Sequence, residues 1–505
     1  MQSSTPRVST QDLKSGTQFR RNLLLTACIA LAFLFYTANL RTNPPGFFLD
    51  ESSIAYNAYL IAQTGADEHG VSFPLYFRAF GEYKNPAYIY LLAIVFKIFG
   101  PSILLARLTS AVLGFCAALL LGRLAWLISK RLYIGIFIGA VAMFGPWLFE
   151  IGRLVFEVSL FPFALALFLL WLNRAHDKGD WSTLLNLRLA FALGLITYTY
   201  SIGRLFAPLL AFGLILFITR RNISGIFRTW ALYLLTLLPL LVFNLRHPGA
   251  LIARFHDLSY IKPQSTLFEI VFNFITHYIN NWSLRSLLIT GDVNARHHIS
   301  GTGSILLSVF ILFVIGLIVV VSLYRSDAWW RYVVYGLLVS VVPASLTVDQ
   351  FHTLRLTAFP IFMLLLNAPA LTWLMAEERG SLQRKTLIAL SALAFIQTAI
   401  FQYHFHREGP QRFNYFEAQY VEVFGAAIAT PQRPIYLYDE PPLLGYIHAY
   451  WYAALRGVSA SEFVHLPSDG KQPPPPGALV ISTFAPCADC RIILRRADYT
   501  TYIQP

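Results

Sequence analysis

The sequence predicts an α-helical polytopic membrane protein with a small α/β domain on its outer side. Three observations carry this. Of 505 residues, 56% are hydrophobic and only 13% charged, where a soluble domain carries about 25% charged residues. Apolar stretches long enough for helices recur as far as residue 402. Beyond about 403 the composition changes: Pro473 to Pro476 stand in a row and strand-like runs appear at 434–438 and 478–482.

Residues 1–21 form a basic tail, with Arg7, Lys14, Arg20 and Arg21. About eleven spans follow, some shorter than the roughly 20 residues of a straight crossing. They lie near 22–40, 103–128, 132–149, 158–173, 184–200, 205–219, 229–245, 304–323, 330–347, 356–374 and 386–402. The first lacks a small-x-small cleavage site and reads as retained rather than as a signal peptide. The segment 86–100 is apolar but too short to span, and reads as an interfacial helix. The membrane part thus covers 22–403, with long outer loops at 41–102 and 246–303, and the outer α/β domain covers 404–505 after a linker near Gly409-Pro410. A helix is expected at about 441–456, between the two strand-like runs.

Charge sets the orientation. With the N-terminus inside, the inner connections hold Arg123, Lys130 and Arg131; Arg174, Lys178 and Arg188; Arg220, Arg221 and Arg228; Arg325 and Arg331; and Arg379, Arg384 and Lys385. The short outer connections hold single arginines, Arg153, Arg204 and Arg355. This is the positive-inside pattern. The net charge of +13 is therefore a topology signal and not a nucleic-acid footprint, since no basic cluster is interleaved with aromatics. Cys28 and Cys116 fall in apolar stretches as packing residues, and Cys487-x-x-Cys490 reads better as an outer disulfide than as a zinc site.

The outer face collects the chemistry. Asp50 and Glu51 follow the first span, and the same loop carries Glu82, Lys84 and Asn85. Carboxylates are costly at membrane depth and mark function by default. Arg153, Glu157, Arg204, His352 and Arg355 stand at outer helix ends, and Asp292, Arg296 and His297 close the second long loop. Each has a plainer reading. A lone arginine at a helix end snorkels to bulk lipid phosphate, Arg153 and Glu157 are spaced to pair on a helix face, and Asp292 to His297 read as a polar loop end. Asp67-Glu68-His69 reads as a solvated turn.

The order of Asp50-Glu51, then Lys84-Asn85-Pro86-Ala87-Tyr88-Ile89-Tyr90, then Ala106-Arg107-Leu108-Thr109-Ser110-Ala111 resembles the lipid-carrier-dependent glycosyltransferases of the C-type superfamily. Among these it is most similar to the protein O-mannosyltransferases and the lipid A aminoarabinose transferases. Arg153 to Glu157, Gly203-Arg204 and His352-Thr353-Leu354-Arg355 also look like motifs of bacterial members. The aminoarabinose transferases carry Lys-Pro-Pro-Leu-Tyr where this chain has Asn85 in place of the first proline.

The resemblance implies the C-type fold and an inverting transferase in a bacterial inner membrane, with its site facing outward. The donor would be a sugar on a polyprenyl monophosphate, the acceptor a hydroxyl of a lipid, glycan or protein. Asp50 would be the base and Glu51 would help position the acceptor. Lys84, Arg355 and Arg204 would hold the donor phosphate, with Glu82, Arg153, Glu157, Asp292, Arg296, His297 and His352 in support. No cofactor is required. A divalent metal is the competing design, for which Asp50, Glu51, Glu82, Asp292 and His297 offer ligand types without a proving spacing. The rival functions are a glycan ligase using a diphosphate carrier, separated by donor competition, and a non-enzymatic glycolipid transporter. The transporter is disfavoured because the ionisable residues gather at one face.

Overall fold

The computed structural model describes residues 10–376, 380–438, 444–467, 472–496 and 498–505. Arg7 and Arg379 of the basic pattern and the start of the 441–456 helix lie outside them. Helices dominate. The first, α1 (Thr10–Tyr36), leads into an outer segment built from α2 (Leu49–Thr64), a hairpin of β1 (Phe77–Ala79) and β2 (Glu82–Lys84), and α3 (Pro86–Phe99). Ala79 pairs with Glu82, leaving Phe80-Gly81 as a two-residue loop. Both loop residues have positive φ, 54° and 79°, the requirement of the turn whose twist matches paired strands. The hairpin thereby fixes Lys84 opposite Phe77. Pro86 then starts α3 at a position where its missing N–H is harmless. Tyr88, Ile89, Leu92 and Phe96 of α3 are buried, while Ile94, Ile98 and Phe99 stay exposed.

Each expected span is helical, but proline and glycine divide several. The stretch 132–149 becomes α4 (Ile103–Ser129)'s partner α5 (Leu132–Phe144) and then α6 (Pro146–Ile151), broken at Gly145-Pro146. Proline has no N–H to continue a helix and its ring clashes with the preceding turn. After α7 (Phe161–Lys178), α8 (Thr183–Thr199) and α9 (Gly203–Gly213), the same device separates α10 (Ile223–Thr236) from α11 (Leu238–Arg246) at Pro239. Two short outer helices, α12 (Ala253–Leu258) and α13 (Leu267–Asn280), precede α14 (Leu307–Leu323); Pro343 then divides α15 (Ala328–Ser340) from α16 (Val342–Ser345). The stretches Ile103–Ser129, Glu157–Lys178, Ile223–Arg246 and Ser381–Gln411 are long and apolar enough to cross a membrane. Between the last two pieces of core, α17 (Phe359–Leu374) is buried along nearly its whole length, as expected of a helix apolar on every side. α18 (Ser381–Glu408) closes the bundle.

Small residues let α4 and α5 cross closely. A Cβ on Gly122 of α4 would sit 2.7 Å from the Gly135 carbonyl oxygen of α5, so only glycine lets these backbones meet. Cys28, expected to pack, instead faces outward. Asp67-Glu68-His69 is not a solvated turn: Asp67 is buried and accepts the backbone N–H groups of His69 and Val71, while Glu68 accepts from Asn57.

The tail carries a helix before its first strand, α19 (Tyr420–Ala429), then β3 (Ile435–Tyr438), α20 (Gly445–Ala454), β4 (Phe463–Leu466), β5 (Leu479–Ser482), β6 (Arg491–Arg496) and β7 (Tyr499–Ile503). The sheet order is β4-β3-β5-β7-β6, with β3 parallel to both neighbours and the β5–β7 and β7–β6 pairs antiparallel. Two of the five strands follow the strand-like runs read from the sequence. Cys487 and Cys490 form a disulfide.

One buried ion pair joins the outer segment to the bundle. Glu51 of α2 and Arg107 of α4 have no exposed side-chain surface and lie 3.5 Å apart. Glu51 also accepts the N–H of Phe48 at 2.9 Å and that of Val155 at 3.0 Å. Arg107 donates to the carbonyls of Leu40, Pro44 and Gly46. Removing one member strands the other charge out of water, which costs about 3–5 kcal/mol. Arg107→Leu is expected to lower the thermal midpoint of the detergent-solubilised protein strongly; an unchanged midpoint would contradict this account of the pair.

Candidate active site

Asp50 stands in the first turn of α2, where the helix dipole favours a carboxylate. The Lys84 ammonium at the end of β2 donates to its Oδ1 at 2.6 Å. The lysine is nearly enclosed, 6% exposed, whereas the Asp50 side chain keeps 37% of its surface and can be reached from outside. Burial works against ionisation of Asp50, but the charge and hydrogen bond of Lys84, helped by Arg296 and Arg254, hold its carboxyl below the usual carboxylate range. Burial also works against the Lys84 ammonium; Asp50, Glu157 and Glu82 together outweigh it and raise the lysine. Both groups are therefore charged in the resting molecule.

The other cations surround this pair. Glu157 accepts from the backbone N–H of Asn85 and from its side-chain amide, the latter at 3.0 Å. A proline at position 85 would lack that N–H, so Asn85 is what ties Glu157 to the end of β2. Arg204 donates to the Asn85 side chain at 3.4 Å and to the Leu251 carbonyl at 2.7 Å, with its guanidinium 5.5 Å from the Tyr76 ring centre. Arg355 donates to Thr347 and pairs with Asp349. Tyr200 lies within electrostatic range of Arg355, Glu157, Asp50 and Glu82 together. Arg254 pairs with Glu82 at 2.9 Å. Arg296 stacks 3.4 Å above the Phe48 ring and donates to the Tyr415 carbonyl at 3.3 Å.

Beside this centre, two loops bring Asp292, His297 and His352 together, with one ligand atom from each within 4.8 Å of the others. Among the described residues no other group of three such side chains gathers this way. The remaining carboxylates considered for a metal are separate, since Glu51 is spent on Arg107 and Glu82 on Arg254. Burial opposes ionisation of Asp292, yet His297 and the Asn294 N–H hold it well below the usual carboxylate range. Burial first, then His297 and Arg355, lower the His352 imidazole to about 3, leaving it neutral. Glu150 meets His298 at 3.1 Å and Arg412 at 3.4 Å next door, a buried network joining the loop to the tail.

Two sequence expectations change. Glu51, expected to position the acceptor, is wholly buried with both oxygens engaged; it braces the start of α2 instead. Arg153, expected near the outer headgroups and spaced to pair with Glu157, is buried and donates to the carbonyls of Tyr36, Ala38 and Asn43, at the end of α1 and just beyond it. The sequence reading passed over Arg254, Glu417 and His448. Glu417 accepts the N–H of Leu49, the residue before Asp50, at 2.9 Å, and His448 holds Glu417 at 2.9 Å and Ser52 at 3.0 Å. No local pattern announces these contacts, because the partners come from the tail.

No family model and no curated protein matches the chain. Its structure is similar to that of ArnT from Cupriavidus metallidurans, bound to undecaprenyl phosphate, with a TM-score of 0.61 and 12% identity, covering 95% of this chain and 97% of that one. The apo state of the same protein gives a TM-score of 0.60 at 11% identity, over 97% and 98% of the two chains. The archaeal oligosaccharyltransferase AglB from Archaeoglobus fulgidus, in complex with an inhibitory peptide and a dolichol-phosphate, gives 0.51 at 13% identity, over 89% and 65%. The chain therefore shares its fold with ArnT over nearly the whole length of both proteins.

Proposed function

We propose that the protein is a membrane glycosyltransferase that moves a sugar, with inversion, from a polyprenyl monophosphate to a hydroxyl acceptor on the outer face of a bacterial inner membrane. In this reading eleven spans place the N-terminus inside and residues 404–505 outside. The observation that carries it is the Asp50–Lys84 pair, an accessible carboxylate touching an enclosed ammonium, with Arg204 bonded to the neighbouring Asn85 and Arg355 within electrostatic range of the same Tyr200 as Asp50. The likeness to ArnT bound to undecaprenyl phosphate and to AglB in complex with a dolichol-phosphate supports the class of donor.

The chemistry follows from the charges. A sugar phosphodiester carries one negative charge, and its phosphate gains a second as the sugar leaves. Fixed cations therefore stabilise the transition state more than the ground state. Arriving phosphate draws Lys84 from Asp50 and Arg355 from Asp349. Arginine grips phosphate oxygens with two bonds and lysine as a point charge. Release from Lys84 removes the main influence lowering Asp50, so the carboxylate becomes a stronger base as the donor seats. It takes the acceptor proton while the acceptor oxygen bonds to the anomeric carbon and the carbon–phosphate-oxygen bond breaks. The proton then passes to water, and the lipid phosphate departs.

Asp50→Asn is expected to leave the protein folded, with a lower thermal midpoint because Lys84 loses its main partner, and to cut transfer from a purified prenyl-phosphate sugar by at least about 10²–10⁴-fold; normal turnover would remove Asp50 from the mechanism. Lys84→Ala should cost about 10²–10³-fold. It should also displace the acid limb of kcat/KM. Without Lys84 the largest favourable influence on ionised Asp50 is gone while burial still opposes ionisation, so the Asp50 carboxyl rises and residual activity fails at higher pH than in the parent. An acid limb that stays in place, or moves down, would exclude the hand-off. Competition by a monophosphate carrier, and none by a diphosphate carrier, separates this function from a glycan ligase.

A further inference from the structure

Asp292 and His297 lie in the loop that runs from α13 towards α14, and His352 stands on the connection from α16 to α17, which also carries Arg355. The three side chains converge although they come from segments far apart in sequence. Their geometry is unusual for a simple hydrogen-bonded cluster. His297 Nδ1 stands 3.4 Å from Asp292 Oδ2, beyond the usual 2.7–3.2 Å of an N–H···O bond. That spacing equals the edge of a tetrahedron whose ligands lie about 2.1 Å from a central zinc, roughly 3.4 Å. His352 Nδ1 is buried and makes no hydrogen bond, so the ring retains an uncommitted nitrogen. Asp292 is oriented from behind as a metal-bound carboxylate would be: the backbone N–H and the hydroxyl of Thr353 both donate to Oδ2 at 2.8 Å, and the Asn294 N–H donates to Oδ1 at 2.9 Å.

The geometry points to a zinc-type site formed by Asp292, His297 and His352, apart from the transfer centre, with water as the fourth ligand. Two imidazoles and one carboxylate suit a borderline cation such as zinc better than calcium or magnesium, which prefer all-oxygen sets. The ion pins the two loops together. The Arg355 N–H donates to the His352 carbonyl at 3.0 Å, so fixing His352 fixes the turn from which Arg355 projects. This role for the turn rests on the reading of Arg355 as a phosphate ligand; the metal site does not.

The test uses the purified full-length protein without a histidine tag, stripped with chelator and then supplied with zinc or cobalt(II) alone. The wild-type chain should retain about one zinc per molecule after gel filtration, melt at a higher temperature when zinc is restored, and give tetrahedral ligand-field absorption with cobalt. His297→Ala and His352→Ala should each lose the ion and the cobalt bands. Thr353→Val, which leaves every ligand in place, should weaken zinc binding about 10–100-fold. Wild-type protein that holds no more zinc than either histidine variant and shows no cobalt bands would overturn the site. So would bands that persist in both single variants. None of these readings requires donor or turnover, so they stand or fall independently of the transferase function.

Discussion

Everything near Asp50 depends on how the first turn of α2 is held. A helix start leaves backbone N–H groups without partners inside the helix. Here Glu51, three residues on, takes the Phe48 N–H, and Glu417, from far along the chain, takes that of Leu49. Ser52, a residue further on, is tied to His448. Successive helical residues point about 100° apart, so Glu51 turns into the protein towards Arg107 while Asp50 turns out towards Lys84. Two neighbouring acidic residues thus receive opposite environments from one helix turn. The buried one holds the frame in which the accessible one works.

The cations near Asp50 share a second regularity. Lys84 rests on Asp50, Arg355 on Asp349 and the more exposed Arg254 on Glu82. An unpaired charge as enclosed as Lys84 or Arg355 costs several kcal/mol, so these two need counter-ions. In the proposed transfer the anionic headgroup takes the place of Asp50 against Lys84 and of Asp349 against Arg355. The two cations then keep an anionic partner throughout, and the carboxylate freed nearest the acceptor is the base.

Much of this was legible in the sequence, and the gaps have physical causes. The helical membrane part and the coming together of Asp50 and Lys84, 34 residues apart, could be read from hydropathy and from charges sharing one loop. Glu51 was misread because adjacency says nothing about which way each side chain turns. Arg153 looks like any arginine at a helix end, and only the structure places it against the carbonyls at the end of α1 and just beyond it. The breaks at Gly145-Pro146, Pro239 and Pro343 were visible as residues, but a proline inside an apolar run does not say whether the helix bends or stops. In the tail, β6 begins and ends in arginine and lies exposed at the sheet edge, so it offers no apolar alternation to detect. The convergence of Asp292, His297 and His352 depends on two loops meeting, which spacing alone cannot encode.

The tail is where sequence and structure diverge most usefully. Its composition marks it as a separate α/β piece, yet α20 is packed into the outer segment. Trp451 is fully buried and stacks on Phe47 at 5.7 Å and on Phe96 at 5.9 Å, bridging the residues before α2 and the face of α3. His448, one turn away on the same helix, carries the link through Glu417 to the Leu49 N–H. Aromatic packing sets where α20 sits, and the hydrogen-bonded chain converts that position into the orientation of the residue beside Asp50. A sheet that only displayed a binding surface would have no need to bury a tryptophan and a histidine against the start of α2. The tail is therefore part of the scaffold that aims Asp50, and a change in its packing reaches the site through one backbone N–H.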